Sequence, residues 1–88
     1  MVTETLVVEN TLERAIELET PVSFVYYRGE NTSRRTVSPY ELREGKNGKT
    51  LLVCWSHPAE SVRMFDTERI TALRSEEGAE EFVPAVER

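Results

Sequence analysis

The sequence predicts a mostly-β domain in which five short strands follow one N-terminal helix. Segments that alternate apolar and polar residues recur at intervals of about 8 to 12 residues, which is typical of a small barrel or sandwich. Turn-forming Gly, Asn and Pro residues separate these segments, and helical spacing is confined to a stretch before the first of them. With 88 residues the chain is long enough for one hydrophobic core, and therefore for one domain.

The predicted helix covers residues 10–19. Asn10 is followed three residues later by Glu13, a capping-box pattern that marks a helix start. Apolar residues at helical spacing define the face to be buried: Leu12, Ala15 and Ile16. Pro21 ends the helix because proline disfavours helical backbone in the residue before it. Residues 1–9 are predicted to be an N-terminal arm, either frayed or added to the sheet as an edge strand.

The strands begin at Val22, where the period of the pattern changes from helical to alternating. The five predicted strands cover residues 22–27, 34–37 with an extension over 40–43, 50–56, 61–65 and 70–74. Pro39 predicts a bend or bulge within the second strand, since proline cannot donate a hydrogen bond to a ladder. Asn47-Gly48 predicts a tight turn because both residues tolerate positive φ. The third strand is apolar on both faces, which predicts that it is central and the most buried.

Charge is distributed unevenly along the chain, which has a formal net charge of −5. The two ends are acidic and the middle is basic: residues 1–27 and 76–88 carry −4 each, 28–49 carry +3, and 50–75 are neutral. An acidic chain is poorly suited to non-specific binding of duplex DNA, which requires many Lys and Arg contacts to phosphate. A local anion site in the basic middle is compatible with this pattern. Three of the basic residues there are predicted to be solvated turn and edge residues: Arg28, Lys46 and Lys49.

Cys54 is the single cysteine, so no intramolecular disulfide can form and no zinc site can be built from cysteine pairs. This usage is typical of a protein in the reducing cytoplasm, which is the predicted location. No stretch of about 18 apolar residues is present, and the N-terminus lacks the basic-then-apolar pattern of a signal peptide. The sequence predicts no membrane association, and it predicts no metal site and no cofactor.

Three motifs in the middle of the chain resemble those of the WYL domain family. They are Arg35-Thr36-Val37-Ser38-Pro39, residues 63–70, and the hydrophobic segment 48–55 that lies between them. The likeness extends over residues 12–73. The tripeptide that gives the family its name falls on Thr50-Leu51-Leu52, where only the Leu matches. The resemblance implies an Sm-like or SH3-like barrel with a helix packed on one end.

In the family, this module usually follows a helix-turn-helix domain in bacterial transcription regulators, or it occurs in CRISPR-associated accessory proteins. There it is thought to sense nucleic acid or nucleotide-like ligands and to assist dimerisation. Only about 20 residues precede the barrel in this chain, too few for a DNA-reading domain. We therefore expect a stand-alone module, with the barrel and its helix over residues 10–76 and an acidic tail over residues 77–88.

The resemblance associates Arg35, Arg63 and Arg69 with a basic ligand site. Guanidinium groups that converge on one face of a barrel can hold phosphate or carboxylate through paired hydrogen bonds. The alternative is that two of them form structural ion pairs of small energetic value: Arg63 with Asp66 or Glu68, and Arg69 with Glu60 or Glu41.

Aromatic residues and one histidine are candidates to extend this site. Tyr40, Trp55 and Phe65 could stack against bases, and His57 could donate to a phosphate at the end of a strand. The alternative for each is structural, because aromatic residues in a small barrel more often belong to the core. Trp55 is then expected to pack at the end of the barrel, and His57 to lie in a loop before Pro58.

Catalysis is not predicted. Cys54 and His57 are the natural nucleophile and base, with Asp66 to orient the base, but residues three positions apart on a strand point to opposite faces. We therefore expect a binding module and not an enzyme. The first hypothesis is a regulatory module that binds single-stranded nucleic acid or a nucleotide-like anion through its arginines. The second is an interaction module that forms a dimer or ring, or binds a protein partner, through edge strands.

Overall fold

One α-helix and five antiparallel strands form the part of the chain that the computed structural model describes, residues 2–76 and 82–84. In chain order they are α1 (Val2–Leu18), β1 (Val22–Arg28), β2 (Asn31–Glu44), β3 (Thr50–Ser56), β4 (Ser61–Asp66) and β5 (Ile70–Ser75). Single-turn 3-10 helices at Lys46–Gly48 and Thr67–Arg69 precede β3 and β5. The predicted mostly-β class is confirmed, and each strand lies near its predicted position.

The helix is longer than the sequence pattern predicts. It begins at Val2, so Asn10 lies exposed in its middle, and the predicted helix start at Asn10 is wrong. An apolar stripe at helical spacing continues across that point and packs in or against the core: Val8, Leu12 and Ala15. Residues 2–9 therefore belong to the helix and are not an edge strand.

No helix among the described residues is long and apolar enough to span a bilayer.

The strands form one sheet in the order β4-β3-β2-β1-β5, and all neighbouring strands are antiparallel. The long strand β2 pairs with β1 mainly through its first half and with β3 through its second half. The β2–β3 register shifts between Pro39 and Glu41, which confirms the predicted bulge and bends β2 there. The predicted turn at Asn47-Gly48 is also confirmed, since these residues take φ values of 62° and 74°.

The sheet is open, so the barrel in the prediction is not confirmed. Strands β4 and β5 are its edges, and no ladder joins them within the described residues. Side chains connect the curled sheet instead. The main-chain N–H of Asp66, at the end of β4, donates to the Tyr26 hydroxyl on β1 at 2.9 Å. The Phe65 ring lies 4.8 Å from the Tyr26 ring and 5.4 Å from the Phe24 ring, so β4 and β1 enclose the inner face of the sheet.

The hydrophobic core lies between α1 and the inner face of the sheet. Its inaccessible members come from the helix and from three strands: Leu12, Val22, Phe24, Val37, Leu52 and Cys54. Strand β3 is an interior strand of the described sheet, but β2 and not β3 is the central one, so that prediction is wrong, and the two faces of β3 differ in burial. Leu52 and Cys54 face the core, whereas the outer face of β3 is only half-buried. The apolar sequence of β3 predicts a more buried outer face than the structure shows.

Replacing Ala72 by glycine is expected to stabilise the fold. Ala72 is exposed in β5 and takes a left-handed φ of 53°, beside a register shift in the β1–β5 ladder between Ser23 and Val25. Glycine removes the Cβ that disfavours this backbone, so the free energy of unfolding should rise by about 0.5 to 1 kcal/mol. Urea denaturation followed by circular dichroism measures the change.

Ala59 provides the matched control, because it is equally exposed but lies in a turn with negative φ. Glycine at position 59 adds freedom to the unfolded chain without relieving strain, so it should lower the free energy of unfolding. Equal changes in the two variants would contradict the assignment of strain to Ala72.

Candidate anion-binding groove

The inner face of the sheet changes from apolar to cationic along β1 and β2. Strand alternation places Val22, Phe24, Tyr26 and Arg28 on one side of β1. Val22 and Phe24 are inaccessible beneath α1, whereas Arg28 is exposed at the other end of the strand. Phe24 is paired with Arg35 of β2, so a second arginine enters this face where the apolar core ends.

Strand β4 and the turn after it bring two more arginines to the same end of the molecule. Arg63 is paired with the buried Cys54 of β3, which places its side chain on the same side of β4 as the core residue Phe65. Arg69 is the last residue of the 3-10 turn Thr67–Arg69, directly before β5. The three arginines that the sequence analysis selected are thus brought together.

Two adjoining hollows occupy the open end of the inner face, and together they are called the arginine groove. The larger has a volume of about 720 Å³, and the arginines that line it are Arg28, Arg35 and Arg69. The smaller has a volume of about 440 Å³, and its arginines are Arg28, Arg35 and Arg63. Tyr26 lines both hollows, and Phe65 lines the smaller one. A continuous surface therefore combines four guanidinium groups with two aromatic rings.

Serine residues fix the orientation of two groove arginines. The Nε of Arg35 donates to the Ser33 hydroxyl at 3.1 Å, and the Nε of Arg63 donates to the Ser61 hydroxyl at the same distance. Each serine lies two residues before its arginine, and therefore on the same strand face. The guanidinium carbon of Arg35 also lies 5.7 Å from the centre of the Phe65 ring. Because these bonds use Nε, the terminal nitrogens keep their donors for a ligand.

Charge compensation differs between the groove and the outside of the sheet. On the outside, Arg43 contacts Glu41 at 2.6 Å and Arg74 contacts Glu76 at 3.0 Å. No Asp or Glu is among the described residues that line the groove. The groove therefore concentrates positive charge in a chain whose net charge is negative.

Asp66 is a carboxylate among the described residues that contacts a groove arginine. One of its oxygens lies 3.8 Å from Arg69 and 3.4 Å from Lys49, so one negative charge is shared by two cations. The other oxygen accepts the main-chain N–H of Glu68 at 3.0 Å, which caps the 3-10 turn. The alternative of structural ion pairs predicted Glu60 or Glu41 as the partner of Arg69. Arg69 does form an ion pair, but its partner is Asp66. Arg63 bonds to a serine and to neither predicted acid.

The family model for the WYL domain matches residues 8–75, which include every arginine of the groove. The chain belongs to the WYL domain family. No curated protein sequence matches this WYL domain at a significant level. Among solved structures it is similar to proteasome accessory factor B/C (PafBC) of Arthrobacter aurescens, with a TM-score of 0.77 and 18% sequence identity. The match covers 85% of this chain and 12% of the PafBC chain, so this WYL domain corresponds to a small part of that protein.

Arg28 and Tyr26 are among the groove residues that were not selected from the sequence. Arg28 was predicted to be a solvated turn or edge residue; it is exposed at the end of β1, and it also lines both hollows of the groove. Tyr26 was assigned only to a strand face, yet its ring lines both hollows while its hydroxyl accepts the Asp66 N–H. The signal for both was the alternation of β1, since Tyr26 and Arg28 continue the inward series of Val22 and Phe24.

The other predicted site residues of this WYL domain lie away from the groove, around the outer face of β2 and β3. The Tyr40 hydroxyl donates to the carbonyl of Val83 at 2.7 Å. His57 Nε2 lies 2.9 Å from the Ser38 hydroxyl. Trp55 is paired with Ser38 across the β2–β3 ladder, opposite in face to the core residue Cys54. The structure therefore does not bring Tyr40, Trp55 and His57 to the arginines.

The thiol of Cys54 is expected to be unreactive in the native protein. Burial raises its pKa to about 12, which lowers the thiolate fraction at pH 8 by a factor on the order of a thousand. Its nearest polar contact is the carbonyl of Arg63 at 3.6 Å. Alkylation by iodoacetamide at pH 8 should be at least about 100-fold slower in buffer than in concentrated urea.

Mass spectrometry of quenched samples measures this rate. Because burial raises the pKa, the native rate should continue to rise with pH up to about 12, whereas the rate in urea should level off above the ordinary pKa of the thiol. Equal rates in buffer and urea would show that Cys54 is accessible.

No cluster of side chains that could hold a metal ion occurs among the described residues.

Proposed function

We propose that this WYL domain is a regulatory module that binds an anionic ligand in the arginine groove and does not itself catalyse a reaction. The ligand class is single-stranded nucleic acid or a nucleotide-like molecule. One observation carries the proposal: Arg28, Arg35, Arg63 and Arg69 line a concave surface in which no described lining residue is acidic. Apart from Arg69, which lies 3.8 Å from Asp66, these arginines contact no carboxylate among the described residues. Guanidinium groups without such a partner favour phosphate, which accepts paired hydrogen bonds from them.

The shape and lining of the groove support a small or flexible anion over a duplex. Volumes of about 720 and 440 Å³ fall within the range of about 300 to 1,000 Å³ of small-molecule sites. The rings of Tyr26 and Phe65 lie among the arginines, and aromatic rings offer stacking surfaces to unpaired bases. A net charge of −5 disfavours the long cationic surface that duplex DNA requires.

The proposal is tested by titrating the full chain with fluorescein-labelled single-stranded DNA and RNA ten-mers, and with a hairpin duplex. Mononucleotides and dinucleotides are measured as competitors of the bound ten-mer. With three to four phosphate contacts, raising the salt from 50 to 200 mM should weaken single-strand binding by about 20- to 50-fold. Absence of binding by every probe at low salt, or binding that does not respond to salt, would contradict the proposal.

The second candidate function is a protein-interaction or oligomerisation module, and the edge strand β4 favours it. Val62 and Met64 on this strand are exposed, with 39% and 54% of their surface accessible. An edge strand with exposed apolar residues is suited to pairing with another chain. Light scattering after size exclusion measures the mass in solution. A monomer at high concentration that binds an oligonucleotide would rule out a dimer or ring.

A further inference from the structure

The C-terminal segment 82–84 lies in a site on the sheet that has no part in the arginine groove. Ser38, Tyr40 and His57 form this site, which we call the clasp. The N–H of Val83 donates to the Ser38 hydroxyl at 3.0 Å, and the carbonyl of Val83 accepts from the Tyr40 hydroxyl at 2.7 Å. The Phe82 ring packs on the Tyr40 ring edge to face, with centroids 6.1 Å apart at 73°.

The clasp is held in place by the fold. Ser38 is inaccessible to solvent although its side chain leaves β2 on the side away from the core. The Ser38 hydroxyl lies 2.9 Å from the ring nitrogen Nε2 of His57. The main-chain N–H of His57 donates to the carbonyl of Thr36 at 3.1 Å. Tyr40 stands at the bulge where β2 bends, between the paired residues Pro39 and Glu41. Two hydroxyl groups are thus positioned to bond one extended residue from both sides.

Recognition in the clasp depends on the main chain of the bound segment and on one ring. Both polar main-chain groups of Val83 are bonded, while its side chain makes neither bond. Pro84 has no N–H to satisfy, and Phe82 supplies the aromatic contact. A segment of another chain with an aromatic residue, an aliphatic residue and a proline in succession can make the same contacts.

Residue 76, which lies between β5 and the segment 82–84, is anchored to the sheet independently of the clasp. At the end of β5, the N–H of Glu76 donates to the carbonyl of Pro21 at 2.8 Å. The Glu76 carboxylate accepts from the Ser23 hydroxyl at 2.6 Å and from Arg74 at 3.0 Å. This anchor does not involve the clasp residues. Among the described residues, two hydrogen bonds and one ring contact join residues 82 and 83 to the clasp.

We propose that the clasp is a docking site for an extended aromatic–aliphatic–proline segment of a partner protein, and that residues 82–84 occupy it in cis until such a segment displaces them. The clasp and the arginine groove are on opposite sides of β2, since Ser38 lies three positions after Arg35 and side chains alternate between the faces of a strand. Occupancy of one site therefore leaves the other open.

The test uses the full chain and a synthetic peptide with the sequence of residues 80–86. The tethered segment competes with the peptide at an effective concentration that reaches the millimolar range for short linkers. Phe82→Ala in the chain weakens that competitor, so this variant should bind the peptide at least about tenfold more tightly than the unaltered chain. Perturbation of the backbone amide resonances in 15N-labelled protein reports both the affinity and the place of binding.

Three matched comparisons separate docking in the clasp from other binding. A peptide with alanine at the phenylalanine position should bind at least about tenfold more weakly. In the Phe82→Ala chain, Tyr40→Phe should also weaken peptide binding by about tenfold, because it removes the hydroxyl and keeps the ring. Tyr27→Phe makes the same chemical change at an exposed residue of β1 and should leave the affinity unaltered.

Failure of the Phe82→Ala chain to bind the peptide would overturn the proposal, provided that its amide spectrum shows the folded state. Equal effects of Tyr40→Phe and Tyr27→Phe would also overturn it. Dimerisation of the unaltered chain that Tyr40→Phe abolishes would assign the clasp to a second copy and would overturn the assignment to a partner protein. None of these measurements involves an oligonucleotide, so their outcome is independent of the proposed function.

Discussion

Replacing Arg35 and Arg63 together by alanine is expected to weaken binding of a single-stranded oligonucleotide by at least about 100-fold. Each arginine is oriented by a serine through Nε and keeps its terminal nitrogens for phosphate. The loss of two phosphate contacts should also reduce the slope of log K against log salt by about 1.4. Fluorescence anisotropy of a labelled ten-mer at 50 and 200 mM salt measures both changes.

The control for this variant is a chain in which Arg14 and Arg43 are replaced by alanine. It has the same net charge, but Arg14 is exposed on α1 and Arg43 contacts Glu41 outside the groove. We expect its affinity to remain within about twofold of the unaltered chain, since distant exposed charges are largely screened at these salt concentrations. Equal losses in the two double variants would assign the effect to overall charge and contradict a site in the groove.

Replacing Phe24 by alanine is expected to have the largest effect on stability, about 3 to 5 kcal/mol. Phe24 is inaccessible, and its ring contacts those of Tyr26 and Phe65 at centroid distances of 6.3 and 5.4 Å. The variant leaves a cavity where the core meets the groove. Domains of 88 residues have total stabilities of about 4 to 13 kcal/mol, so a loss of this size unfolds much of the population at 37 °C for a chain at the low end of that range.

Tyr27→Ala is the control for the loss of Phe24. It removes an aromatic ring three residues further along β1, on the opposite face, where 45% of the surface of Tyr27 is accessible. The expected loss is smaller, about 1 to 2 kcal/mol, because nearly half of the Tyr27 surface stays exposed in the folded state. Chemical denaturation of both variants measures the difference. Similar losses would mean that the inner face of β1 does not carry the core.

The alternation of β1 and β2 was enough to predict much of the fold and part of the groove. It predicted the strands near their observed positions, and Pro39 predicted the bulge in β2. The same alternation places Arg28 after Tyr26 on the inner face of the sheet, where it lines the groove and stays exposed, as its charge and its position next to a turn predict. For Arg28 the residue type predicted exposure, whereas the parity of its strand position indicates the face on which it lies.

The features that sequence analysis missed depend on contacts between distant segments. A capping-box pattern at Asn10 can occur inside a helix, and the packing of Val8 against the core favours continuation of the helix through it. The docking of residue 83 uses main-chain groups, which no pattern of side chains encodes. Residues 82–84 lie in the segment that the sequence analysis assigned to an acidic tail, and they are docked on the sheet.

The hydrogen bond between the Asp66 N–H and the Tyr26 hydroxyl joins β4 to β1 at the mouth of the groove. In a barrel closed by a ladder, several main-chain hydrogen bonds fix the distance between the first and last strands. In this WYL domain one hydroxyl and the packing of three rings set the distance between β4 and β1. We expect torsions of these side chains to change the width of the groove without breaking any described strand pair. We therefore also expect the proposed anion site to accept ligands of more than one thickness.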